Sequence, residues 1–209
     1  MVVTIFAGDP QPDAPLSPFA QELHASWGHP VDAVGERREE DRAAQALLGA
    51  EPVHWPYADC IYRTAPDGRF LYGDGASLWG DIDPVEDSLI AELATRLASL
   101  PPTQDGALYT PLGVGRHVDH RIVRRAAERS GRALTYYADF PYAQNPEAVE
   151  AVLAEGEWQA ELTMLSEEAL EAKLAAIACY RSQIDTFWSD AAEMGVAVRA
   201  FEEQYWKAT

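Results

Sequence analysis

The chain contains little cysteine, little positive charge and no long apolar segment. Its only two cysteines in 209 residues are Cys60 and Cys179, which excludes a disulfide framework and a four-thiolate zinc site and favours a reducing compartment. Lysine and arginine number 16 against 34 aspartate and glutamate residues, so the formal net charge is −18. Because this charge repels phosphate backbones and anionic membrane surfaces, we expect no nucleic-acid partner.

No apolar run approaches the roughly 18 residues that a membrane span requires. Met1 leads into a strand-like segment rather than a basic stretch followed by a cleavage site. These features predict a cytoplasmic protein without a membrane span. The hydrophobic content of 47% suffices for a core, and the length fits one ordinary domain. We therefore expect a single domain over residues 1–209, with 157–209 adding a C-terminal strand and helices.

Strand-like and helix-like runs alternate along the first two thirds of the chain. The predicted strands are 2–6, 52–57, 107–110 and 133–137, and the predicted helices are 36–48, 84–97 and one that ends at Gly131. This order is typical of right-handed parallel crossovers. The sequence therefore predicts an α/β fold with a mostly parallel, Rossmann-like sheet and helices on both faces.

The last third has a different pattern. Residues 157–165 alternate well enough for an edge or antiparallel strand, and Ser166 is placed to cap a helix that continues through Ile184. Gly195 then interrupts, and residues 196–206 predict a final short helix. The long loops at 11–30 and 58–80 are expected to shape specificity.

The segment 113–120 follows the third predicted strand, and ligands of parallel sheets bind beyond the carboxyl ends of strands. His117 and His120 are three residues apart, so they share one side of a helical turn. One imidazole would bind a metal and the other would donate a proton or a hydrogen bond, with Asp119 fixing an imidazole tautomer. The alternative is a polar helix cap with solvent-facing rings.

The segment 112–121, Leu-Gly-Val-Gly-Arg-His-Val-Asp-His-Arg, resembles the second signature of the LmbE-like (PIG-L type) zinc-dependent N-acetylglucosaminyl de-N-acetylases. Further segments resemble the same family in the same order: Phe6-Ala7-Gly8, Arg37-x-x-Glu40 and Tyr180-Arg181-Ser182-Gln183. Together they extend over nearly the whole chain. The resemblance implies one divalent metal, zinc, as the cofactor.

The resemblance also implies roles for three residues. His120 matches a metal-ligating histidine of the family. His117 matches the histidine that stabilises the tetrahedral oxyanion or protonates the leaving amine, and Asp119 matches the carboxylate that tunes it. This assignment agrees with the general chemistry of zinc-assisted amide hydrolysis.

The family's first signature, a His-x-Asp-Asp after an initial strand, has no match in the chain and would lie a few tens of residues before Val2. His24, His29 and His54 lie in segments without a motif. A catalytic zinc takes about three protein ligands. We therefore expect a shortened chain that lacks the first strand and helix of its sheet, binds zinc weakly and is inactive in this form.

Three further residues are candidates for substrate binding. Arg37 would reach a substrate hydroxyl or phosphate, although a surface ion pair with Glu40 or Asp41 is the alternative. Asp59 would accept a hydrogen bond from a sugar hydroxyl or else form a turn. Tyr142 would stack on a sugar face.

Two functions follow from these observations. The first is a metal-dependent hydrolase that removes an N-acyl group, acetyl foremost, from an amino-sugar-like substrate. The second is a metal-free carbohydrate-binding or regulatory relative that has lost hydrolysis. A nucleotide-binding α/β protein is disfavoured because no glycine-rich phosphate loop follows a strand. The oligomeric state stays open, although an uncovered sheet edge would favour association.

Overall fold

The computed structural model describes residues 1–28, 32–102 and 106–209, so His29 lies outside the described residues. Within these ranges the strands are β1 (Val2–Thr4), β2 (Pro52–His54), β3 (Ala107–Pro111), β4 (Ala133–Tyr137), β5 (Trp158–Thr163) and β6 (Glu203–Ala208). The helices are α1 (Pro18–Ser26), α2 (Ala33–Leu47), α3 (Asp87–Ala98), α4 (Val118–Arg129), α5 (Pro146–Leu153), α6 (Glu167–Ile177), α7 (Arg181–Phe187) and α8 (Ala191–Ala200). The predicted α/β class is confirmed.

Two compact units make up the described chain. The first unit contains Met1–Gly75 and Leu165–Phe201, and the second contains Ala76–Met164 and Glu202–Thr209. The C-terminal segment contributes to both, because α6, α7 and α8 belong to the first unit while β5 and β6 belong to the second. No helix in the described ranges has the length and apolarity that crossing a bilayer requires.

In the first unit, β1 and β2 form a parallel pair in which Val3 lies opposite Val53. Parallel neighbours need a crossover connection, and α2 lies between these strands in the sequence. The α2 helix begins where the Asp32 side chain accepts a hydrogen bond from the N–H of Gly35 at 3.0 Å. The predicted strand–helix–strand order of this segment is confirmed.

In the second unit, four strands form one sheet in the order β3-β4-β6-β5. The β3 and β4 strands are parallel, with Pro111 opposite Tyr137 at their carboxyl ends. The β6 strand runs antiparallel to both β4 and β5. Ile90 and Leu93 of α3 and Ile122 of α4 are buried, so the apolar faces of these helices form the core that positions the start of α4.

The prediction of one continuous helix from Ser166 through Ile184 was wrong. Ser166 caps α6 as expected, but α6 ends at Ile177 and a separate helix begins at Arg181. Between them Tyr180 leaves the helical conformation, with φ −83° and ψ 57°. Its hydroxyl donates a 2.6 Å hydrogen bond to Asp41 Oδ1, 139 positions earlier in the sequence. A tertiary contact therefore overrides local helix propensity at this point.

The predicted final helix over 196–206 was also wrong. The α8 helix begins at Ala191 because the Asp190 side chain accepts from the N–H groups of Ala192 and Glu193, and it continues through Gly195. A glycine inside a helix costs only about 1 kcal/mol, which the cap offsets. The following residues form β6, where Trp206 is buried opposite Tyr136 of β4.

Candidate active site

A tight loop leads from β3 into α4 in the second unit. Gly113, Gly115 and Arg116 all have positive φ values, of 85°, 82° and 65°. This backbone path turns the chain sharply and places His117 at the N-terminal cap of α4, where its Nδ1 accepts from the N–H of Asp119 at 3.3 Å. The prediction of a polar helix cap therefore describes one of the two histidines, and it leaves a chemical role for His117 open.

The second histidine of the pair is held by a buried carboxylate. His120 Nδ1 lies 2.6 Å from Oδ1 of Asp139, whose side chain is 0% exposed. The other carboxylate oxygen accepts the N–H groups of Gly113 at 2.7 Å and Val114 at 3.0 Å. Asp139 therefore joins the loop before α4 to the His120 ring, a role that the sequence analysis missed. The available signal was its position after β4, the parallel neighbour of β3.

Two further aromatic rings surround the histidine pair. The Trp79 ring centroid lies 5.2 Å from that of His117 and 5.5 Å from that of Tyr142, and Tyr142 lies 5.9 Å from His120. We call Trp79, His117, His120 and Tyr142 the aromatic cluster. The structure thus brings the predicted substrate-binding residue Tyr142 next to His120, and Trp79 lies against both Tyr142 and His117. Burial and the nearby Asp139 carboxylate raise the pKa of the Tyr142 phenol, so it is a neutral hydroxyl.

The position of Tyr142 depends on Gly115. A Cβ atom at residue 115 would lie 2.6 Å from Cγ of Tyr142, and φ is +82°. We expect Gly115→Ala to lower the free energy of unfolding by about 2–5 kcal/mol, since it adds a steric clash to left-handed strain. Urea denaturation followed by circular dichroism measures this loss.

Gly131→Ala is the matched control for this substitution. Gly131 also has a positive φ, +72°, but a Cβ there would meet no atom within 4 Å. Gly131→Ala should therefore lower the free energy of unfolding only by the cost of the left-handed backbone conformation, about 1–2 kcal/mol. Equal losses for the two variants would contradict the proposed dependence of Tyr142 on Gly115.

Arg37 and Asp59 pair within the first unit. Arg37 Nη1 lies 3.5 Å from Asp59 Oδ2, and the guanidinium carbon lies 4.9 Å from the centre of the Trp27 ring. Asp59 also accepts the N–H of Ile61 at 3.3 Å, so the predicted turn-forming role of this aspartate is present. The two predicted substrate-binding residues of the first unit therefore lie together, and both keep partly exposed side chains, at 36% and 20%.

Glu40 and Asp41 of α2 have partners other than Arg37. Both carboxylate oxygens of Glu40 accept from Ser182, from its N–H at 2.8 Å and from its hydroxyl at 2.6 Å. Direct contacts therefore join two of the segments that carry the family resemblance, 37–40 and 180–183. The contact explains why a carboxylate stands at residue 40 and a hydroxyl at residue 182.

A buried network surrounds Asp41. Its carboxylate accepts from Thr4 at 3.3 Å, from His54 Nε2 at 2.7 Å and from the Tyr180 hydroxyl at 2.6 Å. Burial, with the Asp41 carboxylate as the next cause, raises the pKa of Tyr180 well above its usual range. Tyr180 is therefore a hydrogen-bond donor, and the network stabilises the first unit.

The two other described histidines have partners inside the first unit. His24 Nε2 lies 2.5 Å from the Tyr62 hydroxyl, and His54 Nε2 lies 2.7 Å from Asp41. Burial raises the pKa of Tyr62 far above its usual range. These contacts account for His24 and His54 as structural residues.

The second unit supplies donors that suit a divalent metal. His117 and Asp119 present potential ligand atoms within 4.8 Å of each other, although Nδ1 of His117 already accepts from the N–H of Asp119. Asp139 takes Nδ1 of His120, so Nε2 is the His120 nitrogen left for a metal, and the side chain is 38% exposed. Imidazole and carboxylate groups are ordinary zinc ligands, so the donor set fits zinc in kind.

The chain is similar to solved structures of deacetylases. It is 30% identical to a deacetylase–bog complex from the biosynthesis pathway of teicoplanin, with 99% of this chain and 85% of that chain covered and a TM-score of 0.81. It is 29% identical to the zinc-inhibited form of teicoplanin deacetylase Orf2, with 99% of this chain and 86% of that chain covered and a TM-score of 0.79. It is 25% identical to the A40926 pseudoaglycone deacetylase Dbv21, with 99% of this chain and 84% of that chain covered and a TM-score of 0.68. No protein-family profile and no curated protein sequence matches the chain.

Proposed function

Because the chain belongs to the family of the teicoplanin-pathway deacetylases, we propose that it is a metal-dependent hydrolase that removes an N-acyl group, acetyl foremost, from an amino-sugar-like substrate. The observation that carries the proposal is the His117–His120 pair at the start of α4, whose two rings are held by different local partners. This placement supports the LmbE-like assignment of the segment 112–121. It gives one ring for a metal and one for proton or hydrogen-bond donation.

His120 is the proposed metal ligand, through Nε2. A zinc ion bound there supplies a Lewis acid that polarises the acyl carbonyl and lowers the pKa of its water. The protein's part is to hold the His120 ring in one orientation, which the 2.6 Å contact with buried Asp139 does. Asp119, itself buried, remains the proposed carboxylate that tunes His117.

His117 is the proposed donor to the reacting group. Its Nδ1 accepts a hydrogen bond from the N–H of Asp119, so in the neutral ring the proton is on Nε2. An N–H at this position would stabilise the negative charge that develops on the carbonyl oxygen or would protonate the leaving amine. The Trp79 ring packs edge-on against the His117 ring, with 5.2 Å between their centroids, and so limits the movement of His117.

The substrate class is proposed from side chains of each unit, taken separately. In the second unit, Tyr142 and Trp79 offer aromatic surface, and apolar sugar faces stack on such rings. Within the first unit, Arg37 and Asp59 form a charged pair of a kind that binds hydroxyls, so they remain candidates for substrate binding. A structure of a neighbouring deacetylase contains teicoplanin, so teicoplanin belongs in the substrate panel.

Acetate release tests the proposal. The panel consists of N-acetylglucosamine derivatives and teicoplanin, and acetate is measured with the purified protein before chelation, after chelation and after metal is added back. We expect acetate release to require a metal, so a chelator should abolish it and added zinc or cobalt should restore it. Because the family's first signature has no match in the sequence, we expect this release to be slow.

Two outcomes would contradict the hydrolase. Release that survives exhaustive chelation would exclude a metal-dependent reaction. Sugar binding by the protein, with no acetate released under any metal condition, would instead support the metal-free binding protein. Calorimetric titration with the same N-acetylglucosamine derivatives measures that binding.

A further inference from the structure

We propose that Asp139 is a positioning residue that fixes His120 in the tautomer with its proton on Nδ1, and thereby keeps Nε2 free to bind a metal. The role of the Nε2 lone pair in binding a metal rests on the proposed hydrolase function. The tautomer itself follows from the contacts of one buried carboxylate. It is therefore testable without any measurement of activity.

Three nitrogen atoms converge on the Asp139 carboxylate. Oδ2 accepts from Gly113 at 2.7 Å and from Val114 at 3.0 Å, while Oδ1 lies 2.6 Å from Nδ1 of His120. The side chain is fully shielded from water. Two of the three partners are backbone amides, which can only donate, and a carboxylate can only accept. The remaining contact is therefore a donation from Nδ1–H, and the His120 lone pair lies on Nε2.

His117 is held in the opposite tautomer. Its Nδ1 accepts from the N–H of Asp119, so its proton is on Nε2. Two histidines three residues apart thus carry their protons on different nitrogens, because one faces a backbone donor and the other faces a buried acceptor. A lone pair suits a metal ligand, and an N–H suits a donor to an oxyanion. The local contacts therefore divide these two tasks between the rings.

Asp139 also couples the His120 ring to the loop before α4. The same carboxylate that meets Nδ1 fixes the backbone of Gly113 and Val114, and Gly113 has a φ of +85° that few other residues adopt. A change in the loop would move the carboxylate and the ring together. Asp139 therefore sets both the proton position and the orientation of His120.

Nuclear magnetic resonance of ¹⁵N-histidine-labelled, metal-free protein tests this inference. Long-range ¹H–¹⁵N spectra at a pH of about 8, above the ordinary histidine pKa of about 6.5, identify the protonated nitrogen of each neutral ring. We expect Nδ1–H for His120 and Nε2–H for His117. Spectra of His117→Gln and His120→Gln assign the two rings.

Asp139→Asn should reverse the His120 tautomer. The asparagine oxygen can still accept from the amides of Gly113 and Val114, which leaves its NH₂ group facing Nδ1. An NH₂ group only donates, so Nδ1 must accept and the proton must move to Nε2. We expect zinc affinity to fall about 10–100-fold, measured by competition with a chromophoric chelator.

Asp81→Asn is the matched control, because it makes the same change at an exposed aspartate that pairs with Arg121, the residue after His120, at 3.9 Å. It leaves the Asp139 carboxylate in place and should leave the His120 tautomer unchanged. A His120 ring protonated on Nε2 in the unsubstituted protein would overturn the proposal, even if Asp139→Asn failed to fold. Reversal of the His120 tautomer in Asp81→Asn would also overturn it. Correct tautomers without acetate release would reject the hydrolase and leave the role of Asp139 intact.

Discussion

Replacing Asp41 with alanine is expected to lower the free energy of unfolding by about 3–5 kcal/mol. The Asp41 side chain accepts from Thr4, His54 and Tyr180, and the substitution would leave those donors without their acceptor. Unsatisfied buried donors cost about 1–3 kcal/mol each. Because the partners lie in β1, in β2 and between α6 and α7, the loss should affect the whole first unit. Urea denaturation followed by circular dichroism measures it.

Asp9→Ala is the matched control for this loss. Asp9 pairs with Arg38 of the same helix at 2.9 Å, but its side chain is 62% exposed. Exposed ion pairs contribute about 0–1 kcal/mol, so the free energy of unfolding of this variant should stay close to that of the unsubstituted protein. Similar losses for Asp9→Ala and Asp41→Ala would show that the Asp41 network does not stabilise the first unit as described.

Replacing His120 with alanine is expected to lower kcat/KM for acetate release at least about 100-fold and to reduce bound metal. Losing even a residue that orients a ligand typically costs 10–100-fold, and His120 is the proposed ligand itself. The measurement combines acetate release by the metal-loaded protein with elemental analysis of the same sample. A variant that retains both metal and activity would remove His120 from the mechanism.

Arg129→Ala tests whether any change in α4 has this effect. Arg129 lies in the last turn of the helix that His120 helps to begin, and it pairs at the surface with Asp87 at 2.8 Å. We expect no more than about 1 kcal/mol of destabilisation and unchanged kcat/KM. A large loss of activity in Arg129→Ala would attribute the His120→Ala effect to the helix rather than to the imidazole.

Local patterns predicted most of the fold correctly. The strand at 133–137 has the bounds expected from its run of β-branched and aromatic residues, and α2 follows a segment of strong helix formers. The two wrong helix predictions lie where contacts with residues far away in the sequence determine the secondary structure. Tyr180 leaves its helix to reach Asp41, and Trp206 enters a strand because Tyr136 of β4 offers a partner. Neither partner is visible in a local window of sequence.

The histidine pair was predictable because its spacing is local, whereas the partner of His120 was not. Asp139 lies 19 residues after His120, and the register of two parallel strands brings them together. The sequence predicted that β3 and β4 belong to a mostly parallel sheet, but it did not indicate which side chain beyond β4 would turn inward. A contact between residues that follow two different strands can therefore be predicted only when the pairing of those strands is known as well as the motif.

The position of β6 has a consequence for how the protein is made. This strand lies between β4 and β5 in the sheet, and β5 pairs with no other described strand, yet β6 follows β5 by the length of three helices. During synthesis β5 leaves the ribosome well before its neighbour exists, with Leu162 and Met164 exposed near its end. The sheet of the second unit can close only after the helices of the first unit have been translated.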